Sequence, residues 1–328
     1  MLNFILPLRL KIKVILKENF PFFFMLIKRY PLRIYRNNKL KDSDFPHEIW
    51  IENTNHCNAS CVMCPRELHT RSKSIMSFDL YKRLIIEISK YHQFVERVHM
   101  HNFGEPMLDK NLAEKVKFAK KNGIKHIYFV TNASLLNLNT ALNLIKSGLD
   151  ELKISFYGVN KSSYNNTMKN LDFDVTLNNI RNFFDLRKSL KATKPKVILQ
   201  LIPQSLDDNS SEKDWVNLFK NYIDKKIGDK FNFYQLHNFG GGRDYVQTEG
   251  FVATNTCKFP WNIMVILQDG NVTACCLDYN GKINLGNVNE QSIYDIWNGE
   301  RYREIRKNFK KLNYRDYKVC QKCNFTVD

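Results

Sequence analysis

The segment ENTNHCNASCVMCPRE, residues 52–67, decides how this chain is interpreted, because it places cysteines at 57, 61 and 64. It overlaps the end of an apolar run, HEIWIEN (47–53), and its polar residues favour a loop at the end of a strand. Three thiols leave one position of a four-coordinate metal open, as in catalytic sites, whereas structural sites are closed by four protein ligands. The alternatives are a zinc ion with His56 as fourth ligand, and three apolar residues on one helix face.

Short β-like runs alternate with amphipathic stretches along the next 180 residues. The further runs are RVHMHNF (97–103), HIYFVTN (126–132), ELKISFY (151–157), KVILQLI (196–202) and FNFYQLH (231–237). Helix candidates lie near 78–91, 110–122, 137–147, 174–191 and 212–226. Six β/α repeats predict an α/β fold with a partial (β/α)6 TIM-like barrel, whose chemistry collects at the C-terminal ends of the strands.

The sequence pattern changes after about residue 240. The stretch WNIMVILQDGNVTACC (261–276) contains two β-like runs joined by Asp269-Gly270, a dipeptide typical of hairpins, and a helix candidate begins near Ser292. The pattern predicts three parts: a basic and apolar N-terminal extension (1–45), the barrel (46–240) and a small β-hairpin-plus-helix auxiliary domain (241–328).

Composition limits the class of protein. The 328 residues are 43% hydrophobic and 25% charged, which is typical of a globular chain and not of a disordered one. The net charge of +17 favours anionic partners, among them an acidic redox protein, or else reflects a solvated basic surface. Eight clustered cysteines without a secretory signal predict a reducing, cytoplasmic location.

The N-terminal segment mixes apolar and basic residues up to Arg36. Its longest nearly uncharged run, 19–27, is far shorter than the roughly 20 residues of a spanning helix. Two expectations follow: peripheral contact with the inner face of the membrane, or packing of the segment against the barrel.

The spacing Cys57-x3-Cys61-x2-Cys64 resembles the CxxxCxxC loop of the radical S-adenosylmethionine (SAM) superfamily. The resemblance implies a [4Fe–4S] cluster held by these three cysteines, with SAM on the fourth iron. Met63 stands where the family usually has an aromatic residue, and its thioether can pack against the adenine ring.

Two later segments resemble further motifs of the same superfamily. NFGEPML (102–108) resembles the GGEP motif, which implies that Gly104, Glu105 and Pro106 contact SAM. TNA (131–133) resembles the TNG stretch, and KISFYG (153–158) resembles the strand whose serine contacts SAM. The implied SAM contacts there are Thr131, Asn132 and Ser155.

The C-terminal cysteines resemble the SPASM domain and its shorter twitch form. The resemblance implies one auxiliary [4Fe–4S] cluster with four protein ligands, Cys257, Cys275, Cys320 and Cys323. A zinc ribbon is the alternative. Cys276 remains, either as a buried thiol or as a hydrogen-atom donor to a substrate radical.

Several polar residues are candidates for the pocket: His99, His101, Asn102, Gln200, Gln204, Tyr234, His237 and Arg243. His101 and Arg243 are the preferred catalytic candidates beside Cys276. His101 lies at a strand end, and a guanidinium in the glycine-rich loop can bind a hydroxyl, carboxylate or phosphate.

Together these features imply a radical SAM oxidoreductase or epimerase. It would cleave SAM reductively to a 5′-deoxyadenosyl radical and abstract hydrogen from a small substrate of sugar, aminocyclitol or glycan type. The implied electron donor is an acidic low-potential protein such as flavodoxin or ferredoxin. Radical modification of a ribosomally made peptide or protein is the alternative. A zinc-stabilised nucleic-acid-binding protein is the alternative outside enzymes, although no aromatic-basic RNA-binding signature is present.

Overall fold

A nine-stranded sheet organises the computed structural model, which describes residue 40 and residues 42–203, 210–243 and 256–325. The strands of the described residues are β1 (Glu48–Ile51), β2 (Ser60–Cys61), β3 (Arg97–His99), β4 (Ile127–Thr131), β5 (Glu151–Ser155), β6 (Met168–Lys169), β7 (Lys196–Leu201), β8 (Lys230–Phe233), β9 (Ile263–Ile266), β10 (Asn271–Thr273) and β11 (Gly286–Asn287). The short strands β2 and β6 pair with each other outside the main sheet. The order in the main sheet is β11-β10-β9-β1-β3-β4-β5-β7-β8.

The six predicted barrel strands are confirmed, and neighbouring ones pair in parallel. Strands β4 and β7 are buried at nearly every position, as expected where a parallel sheet is covered on both faces. Strand β8 ends the sheet on one side and β11 on the other, so within the described residues the barrel stays open. The C-terminal ends of β1, β3, β4 and β5 form one rim.

Seven of the ten described helices lie between strands and three follow the last strand, and six begin at a residue whose side chain caps the helix. Those of the described residues are α1 (Phe78–Lys90), α2 (Leu112–Lys121), α3 (Leu138–Lys146), α4 (Lys161–Thr167), α5 (Phe173–Ser189), α6 (Glu212–Phe219), α7 (Phe259–Asn262), α8 (Ile293–Asn298), α9 (Glu300–Lys310) and α10 (Lys318–Gln321). Ser77 caps α1 by accepting a hydrogen bond from the Leu80 amide, and α1 buries its apolar face. The predicted helix 212–226 ends early, at Phe219.

The C-terminal hairpin extends the barrel sheet. Strand β9 pairs in parallel with β1, and β10 then turns back antiparallel to β9. Gly270, with φ +91°, occupies the left-handed conformation that the turn requires. The predicted hairpin and the helix after Ser292 are therefore both present, and the hairpin shares the main sheet with the barrel strands.

Two expectations fall on residues outside the described ranges. The N-terminal segment up to residue 39, proposed to contact a membrane or the barrel, is one, and Gln204 is the other. Among the residues that the structure describes, no helix is long and apolar enough to cross a membrane.

Candidate active site

The first cysteine loop, residues 57–64, starts at the end of β1 and folds back on itself. Cys61 lies in β2 and pairs with Met168 of β6, while the Cys64 amide donates to the Cys61 carbonyl over 3.0 Å. The Arg66 Nη1 donates to the Cys57 carbonyl over 2.6 Å. These contacts hold the backbone of the loop, whose three cysteines are all partly exposed and form no disulfide.

The thiols of this loop interact electrostatically. Burial raises the pKa of Cys57, Cys61 and Cys64, and the pKa of Cys64 reaches about 11. After burial, Cys64 and Cys57 are the next largest causes that raise the pKa of Cys61. The three sulfurs therefore lie within electrostatic reach of one another. Thiols in such surroundings become thiolates when a metal binds them.

The loop after β3 presses against the first cysteine loop at Gly104. A Cβ atom on Gly104 would lie 2.1 Å from the Thr54 carbonyl oxygen and 2.7 Å from that of His56, so no other residue fits without a backbone shift. The Glu105 amide donates to the same His56 carbonyl over 2.7 Å, and Pro106 is buried at the start of a short 3-10 helix. The motif thus fixes the distance between two loops of the rim.

The Glu105 carboxylate joins this loop to the end of β4. It accepts hydrogen bonds from Thr131 Oγ1 (2.7 Å), the Asn132 amide (2.8 Å) and the Met107 amide (3.1 Å), and the residue is 2% exposed. Burial raises its pKa to about 6, and the three hydrogen bonds oppose that rise. A carboxylate accepts about four hydrogen bonds, so one position is left for an amino group of a ligand.

Asn132 carries the connection back to the first cysteine loop. Its Nδ2 donates to Asn58 Oδ1 over 3.0 Å, and Asn58 in turn donates to Ser134 Oγ over 2.8 Å. Ala133, between them, has φ +58°, the left-handed conformation that explains why the related motif has glycine at this position. The sequence analysis did not single out Asn58, although its place between Cys57 and Cys61 is a usable signal.

Ser155 and Met63 lie at the same rim. Tyr157 Oη donates to Ser155 Oγ over 3.0 Å, and Ser155 pairs with Gln200 of β7. Met63 is 7% exposed. All seven residues that the resemblance implies as SAM contacts therefore belong to loops or strand ends of this rim.

Below the rim, an aromatic and polar cluster fills the inner face of the sheet. Trp50 of β1 stacks on His99 and lies 4.8 Å from His101, measured between ring centroids, and Tyr128 of β4 contacts both histidines. His101 is 7% exposed, and its Nδ1 is buried without a hydrogen-bond partner. Burial lowers its pKa well below the usual range, and the neighbouring His99 and Lys153 lower it further. His101 is therefore an uncharged imidazole facing the interior.

The remaining pocket candidates differ in how deeply they are buried. Asn102 has a buried Nδ2 atom without a partner, and Gln200 is 4% exposed. Tyr234 is 42% exposed, and the His237 ring packs against Phe239. Of these candidates, Gln200 is therefore buried and Tyr234 exposed, and His101 and Asn102 each have a buried side-chain nitrogen without a partner.

The four auxiliary cysteines, Cys257, Cys275, Cys320 and Cys323, also influence one another. Burial raises the pKa of Cys257 to about 12 and that of Cys323 to about 11, and Cys275 raises the pKa of both. After burial, Cys275, Cys257 and Cys323 are the causes that raise the pKa of Cys320. The four thiols thus converge, although they come from three separate segments. Tyr314, which the sequence analysis missed, accepts a hydrogen bond from the Cys257 amide at 3.4 Å.

Cys276 contacts one member of this set and also packs at the inner face of the sheet. It forms a hydrogen bond with Cys275, and its side chain packs with Trp50 and Phe259 against the inner-face residues of β9. The thiol therefore borders the interior cluster that contains His101. Such a position is compatible with contact to a substrate.

Arg243 connects the glycine-rich loop after β8 to the first cysteine loop. Its Nη2 donates to the Cys64 carbonyl, and its Nη1 donates to Glu67 Oε1 over 2.7 Å. The guanidinium lowers the pKa of Glu67. Both terminal nitrogens thus contact protein, which favours a bracing role for Arg243.

Within the described residues, no group of three or more His, Cys, Asp or Glu side chains could hold a single metal ion. A [4Fe–4S] cluster does not need such convergence, because each of its thiolate ligands binds a different iron atom.

Two family models match the chain. Residues 51–193 match the radical SAM superfamily, and residues 257–324 match SPASM, an iron–sulfur cluster-binding domain. The first match contains the first cysteine loop and the rim, and the second contains the auxiliary cysteines.

Among curated proteins, the S-adenosyl-L-methionine-dependent 2-deoxy-scyllo-inosamine dehydrogenase of Niallia circulans is 26% identical over 280 residues, which cover 84% of this chain and 92% of that protein. A tungsten-containing aldehyde ferredoxin oxidoreductase cofactor-modifying protein of Pyrococcus furiosus is 22% identical, with 84% of this chain and 88% of that protein covered.

Solved structures show the same fold. BtrN in complex with AdoMet and 2-DOIA superposes with a TM-score of 0.61 at 22% identity, covering 87% of this chain and 95% of that chain. Streptococcus suis SuiB bound to precursor peptide SuiA gives a TM-score of 0.62 at 15% identity, covering 84% and 70%.

Proposed function

Because the chain is a radical SAM enzyme with a C-terminal SPASM domain, we propose that it oxidises an alcohol carbon of a small sugar, aminocyclitol or glycan substrate. The observation that carries this proposal is the 26% identity to an aminocyclitol dehydrogenase along 84% of this chain and 92% of that protein. The cofactors are SAM and [4Fe–4S] clusters, and the protein supplies binding, orientation and protection of the radical chemistry.

The first cluster is assigned to Cys57, Cys61 and Cys64. The donor set fits the group, since three part-exposed thiols interact on one short loop whose backbone is braced by Arg66 and Arg243. An iron without a protein ligand is what SAM requires. When bound there and reduced by one electron, SAM supplies the 5′-deoxyadenosyl radical that removes a hydrogen atom from the substrate.

The SAM site is assigned to the rim. Gly104 allows close approach of the backbone, and Glu105 keeps one acceptor position for the amino group. Pro106, Thr131, Asn132 and Ser155 border the same rim, and Met63 would pack against the adenine. The hydrogen bonds between Glu105, Asn132 and Asn58 orient these loops relative to the cysteines.

The auxiliary cluster is assigned to Cys257, Cys275, Cys320 and Cys323. Four converging thiols fit a cluster with every iron bound by protein, which is suited to accept an electron and not to bind SAM. A zinc ribbon would bind the same four thiols but could not accept an electron.

The oxidation removes two hydrogens from the substrate. The deoxyadenosyl carbon would take the hydrogen atom of the substrate C–H bond, giving 5′-deoxyadenosine. His101 would take the proton of the O–H bond, and a cluster held by Cys257, Cys275, Cys320 and Cys323 would accept the remaining electron as C=O forms. His101 is proposed for this role because its buried Nδ1 has no hydrogen-bond partner and is therefore free to accept from a substrate hydroxyl.

Epimerisation is the second candidate outcome, and the position of Cys276 favours it. A thiol that borders the interior could return a hydrogen atom to the substrate carbon, in which case the substrate passes no electron to the auxiliary cluster. The Cys276 thiyl radical left by this step would take one electron from the reductant and one proton from solvent before the next turnover. Arg243 donates to the Cys64 carbonyl and to Glu67, so in either reaction its role would be to hold the first cysteine loop in place.

The test uses anaerobically reconstituted enzyme with SAM, a reductant and 2-deoxy-scyllo-inosamine, alongside sugar and glycan substrates deuterated at single carbons. We expect about eight irons per chain, deuterium in 5′-deoxyadenosine and a product two hydrogens lighter than the substrate. A product that keeps its number of hydrogens but carries a solvent-derived hydrogen at the formerly deuterated carbon would indicate epimerisation instead. Deuterium transfer from a peptide and from none of the small substrates would overturn the proposal in favour of peptide modification.

An acidic low-potential carrier such as flavodoxin or ferredoxin is proposed as electron donor, since the chain carries a net charge of +17. The eight unpaired cysteines support a reducing, cytoplasmic location. Membrane contact stays a proposal for the N-terminal segment.

A further inference from the structure

The surface around the auxiliary cysteines carries a dense positive charge. Nine Lys and Arg residues but two acidic ones lie between Arg301 and Lys322. We name five exposed residues of this region the auxiliary basic face: Lys282, which lines a groove together with Lys318, and Lys311, Arg315, Lys318 and Lys322, which precede or adjoin Cys320 and Cys323 in sequence. In the part of the chain that the structure describes, none of these five forms an ion pair. Their charge is therefore available to an acidic partner.

A groove of about 180 Å³ runs through this face. Lys282 and Lys318 line it together with Tyr279, Val319 and the glycine-rich loop after β8. Asp278 also contributes to the lining, but it is fully buried and its oxygens accept from Thr273 Oγ1 and from two backbone amides. It therefore does not offset the lysines at the surface.

The groove lies directly beside the auxiliary site. Val319, in its wall, precedes Cys320 in helix α10, and both Cys320 and Cys323 are partly exposed. The glycine-rich loop closes against this helix, because a Cβ on Gly241 would lie 2.8 Å from Lys322 Cβ. Lys318 and Lys322 are four residues apart and thus lie on the same side of the segment that carries the two cysteines.

We propose that the auxiliary basic face is the docking site of a small acidic one-electron carrier protein of the flavodoxin or ferredoxin class. The inference rests on the proposed function, because it provides an exit for the electron that oxidation of the substrate leaves on the auxiliary cluster. One electron passes to the oxidised carrier, which gains one negative charge, and the proton of the same step stays with His101. Cys320 and Cys323, two of the ligands assigned to that cluster, are partly exposed and lie in the segment that carries Lys318 and Lys322.

Charge complementarity selects this occupant. A free phosphate would contact Lys282 and Lys318 in the groove alone, whereas Lys311 and Arg315 extend the charge over an area suited to the acidic surface of a protein. Opposite charges spread over such a surface steer association and orient the partner, and they lose strength as salt rises.

The experiment measures binding of purified oxidised flavodoxin to the anaerobically reconstituted full chain by surface plasmon resonance at low salt. Two double variants reverse the face, Lys318→Glu with Lys322→Glu and Lys282→Glu with Lys311→Glu. The matched control reverses Lys121 and Lys125, exposed residues at the opposite end of the barrel, before β4. We expect each face variant to weaken binding at least about tenfold and the control to change it less than about twofold.

Stopped-flow oxidation of the reduced clusters by flavodoxin should slow to the same extent, whereas reduction by dithionite should not change. Iron analysis shows whether the charge reversal at Lys318 and Lys322 has disturbed the cluster. If it has, the result of the variant at Lys282 and Lys311 is used instead.

Equal weakening of binding by the control, or unchanged binding in both face variants, would overturn the proposal. So would displacement of flavodoxin by inorganic phosphate beyond the effect of chloride at equal ionic strength. None of these measurements needs the substrate, so their outcome is separate from the test of the proposed oxidation.

Discussion

Arg71 and Glu52 form a buried ion pair with two contacts, 2.6 Å from Nη1 to Oε2 and 2.8 Å from Nη2 to Oε1. Their side chains are 9% and 0% exposed. The same guanidinium donates to Gln268 Oε1 over 2.5 Å and to the Tyr279 carbonyl over 2.9 Å. One side chain therefore joins the segment after the first cysteine loop to the end of β1 and to the hairpin of the auxiliary region.

Replacement of Glu52 should destabilise the protein strongly. In Glu52→Gln the Arg71 charge stays buried without its partner, and we expect a loss of about 3–5 kcal/mol in the free energy of unfolding. Anaerobic denaturant unfolding measures this loss. Lys82→Gln is the control, because its pair with Asp79 is largely exposed, with side chains 43% and 92% accessible, and should contribute less than about 1 kcal/mol. Equal effects of the two variants would contradict the role of Arg71 as a link between the two regions.

Gly104 should be intolerant of any side chain. Gly104→Ala places a Cβ within 2.1 Å of the Thr54 carbonyl, so the loop after β3 must move away from the first cysteine loop. We expect loss of SAM binding, measured by equilibrium dialysis, at a largely retained iron content.

Gly123→Ala provides the matched control for this steric effect. Gly123 has φ +83°, but the methyl group of an alanine there would have no neighbouring atom within 4 Å. The substitution therefore adds backbone strain of about 1–2 kcal/mol without a clash. SAM binding should be unchanged in this variant. If Gly104→Ala binds SAM as the natural protein does, the close approach at Gly104 has no part in the site.

The strands and the cysteine sites were predictable from sequence because they depend on local patterns. Alternating β and α periodicity placed all six barrel strands, and Ser77 marked the start of α1. Asn58 and Arg71 were missed because their partners are remote in the chain. Arg71, for example, meets Gln268, which lies 197 positions away.

Pairing between strands was equally out of reach of the sequence. The turn at Asp269-Gly270 predicted the hairpin, but nothing local indicates that β9 would lie beside β1. That neighbour is set by the apolar surfaces that both strands bury. Likewise, the motif pointed to Glu105 as a SAM contact, while its bonds to Thr131 and Asn132 depend on how two loops meet.

Acidification should destabilise the protein because buried histidines resist protonation. Burial lowers the pKa of His69 to about 4 and those of His99 and His101 well below their usual range. Since histidines in the unfolded chain titrate near about 6.5, the unfolded state binds more protons below that pH, and each group removes up to about 1.4 kcal/mol per pH unit. Glu105, whose pKa is raised to about 6, has the opposite effect, because the folded state binds its proton more readily than the unfolded state. It therefore offsets part of the stability that one histidine removes.

The variant His69→Phe tests this sign. It retains an aromatic ring beside Tyr279 and removes one proton-binding group, so unfolding free energies measured between about pH 7.5 and 5.5 should fall less steeply than in the natural protein. His92→Gln, which alters an exposed histidine, should leave the steepness unchanged. A natural protein more stable at the acidic end of that range would contradict the burial of uncharged imidazoles.

The adjacent residues Cys275 and Cys276 should differ in function. Cys275 influences the pKa of three other auxiliary thiols, whereas Cys276 packs, as Trp50 does, against the buried residues Ile263, Val265 and Leu267. Cys275→Ser should therefore lose the auxiliary cluster, about four irons per chain, and Cys276→Ser should keep all of them.

The product formed by Cys276→Ser depends on the reaction. If the enzyme oxidises its substrate, Cys276→Ser still forms the oxidised product, because the electron leaves through the intact auxiliary cluster. If the enzyme inverts a carbon centre, the variant cleaves SAM but cannot return a hydrogen atom, and solvent deuterium no longer enters the product. If instead Cys276→Ser loses iron and Cys275→Ser keeps all of it, Cys276 is the cluster ligand and Cys275 is not.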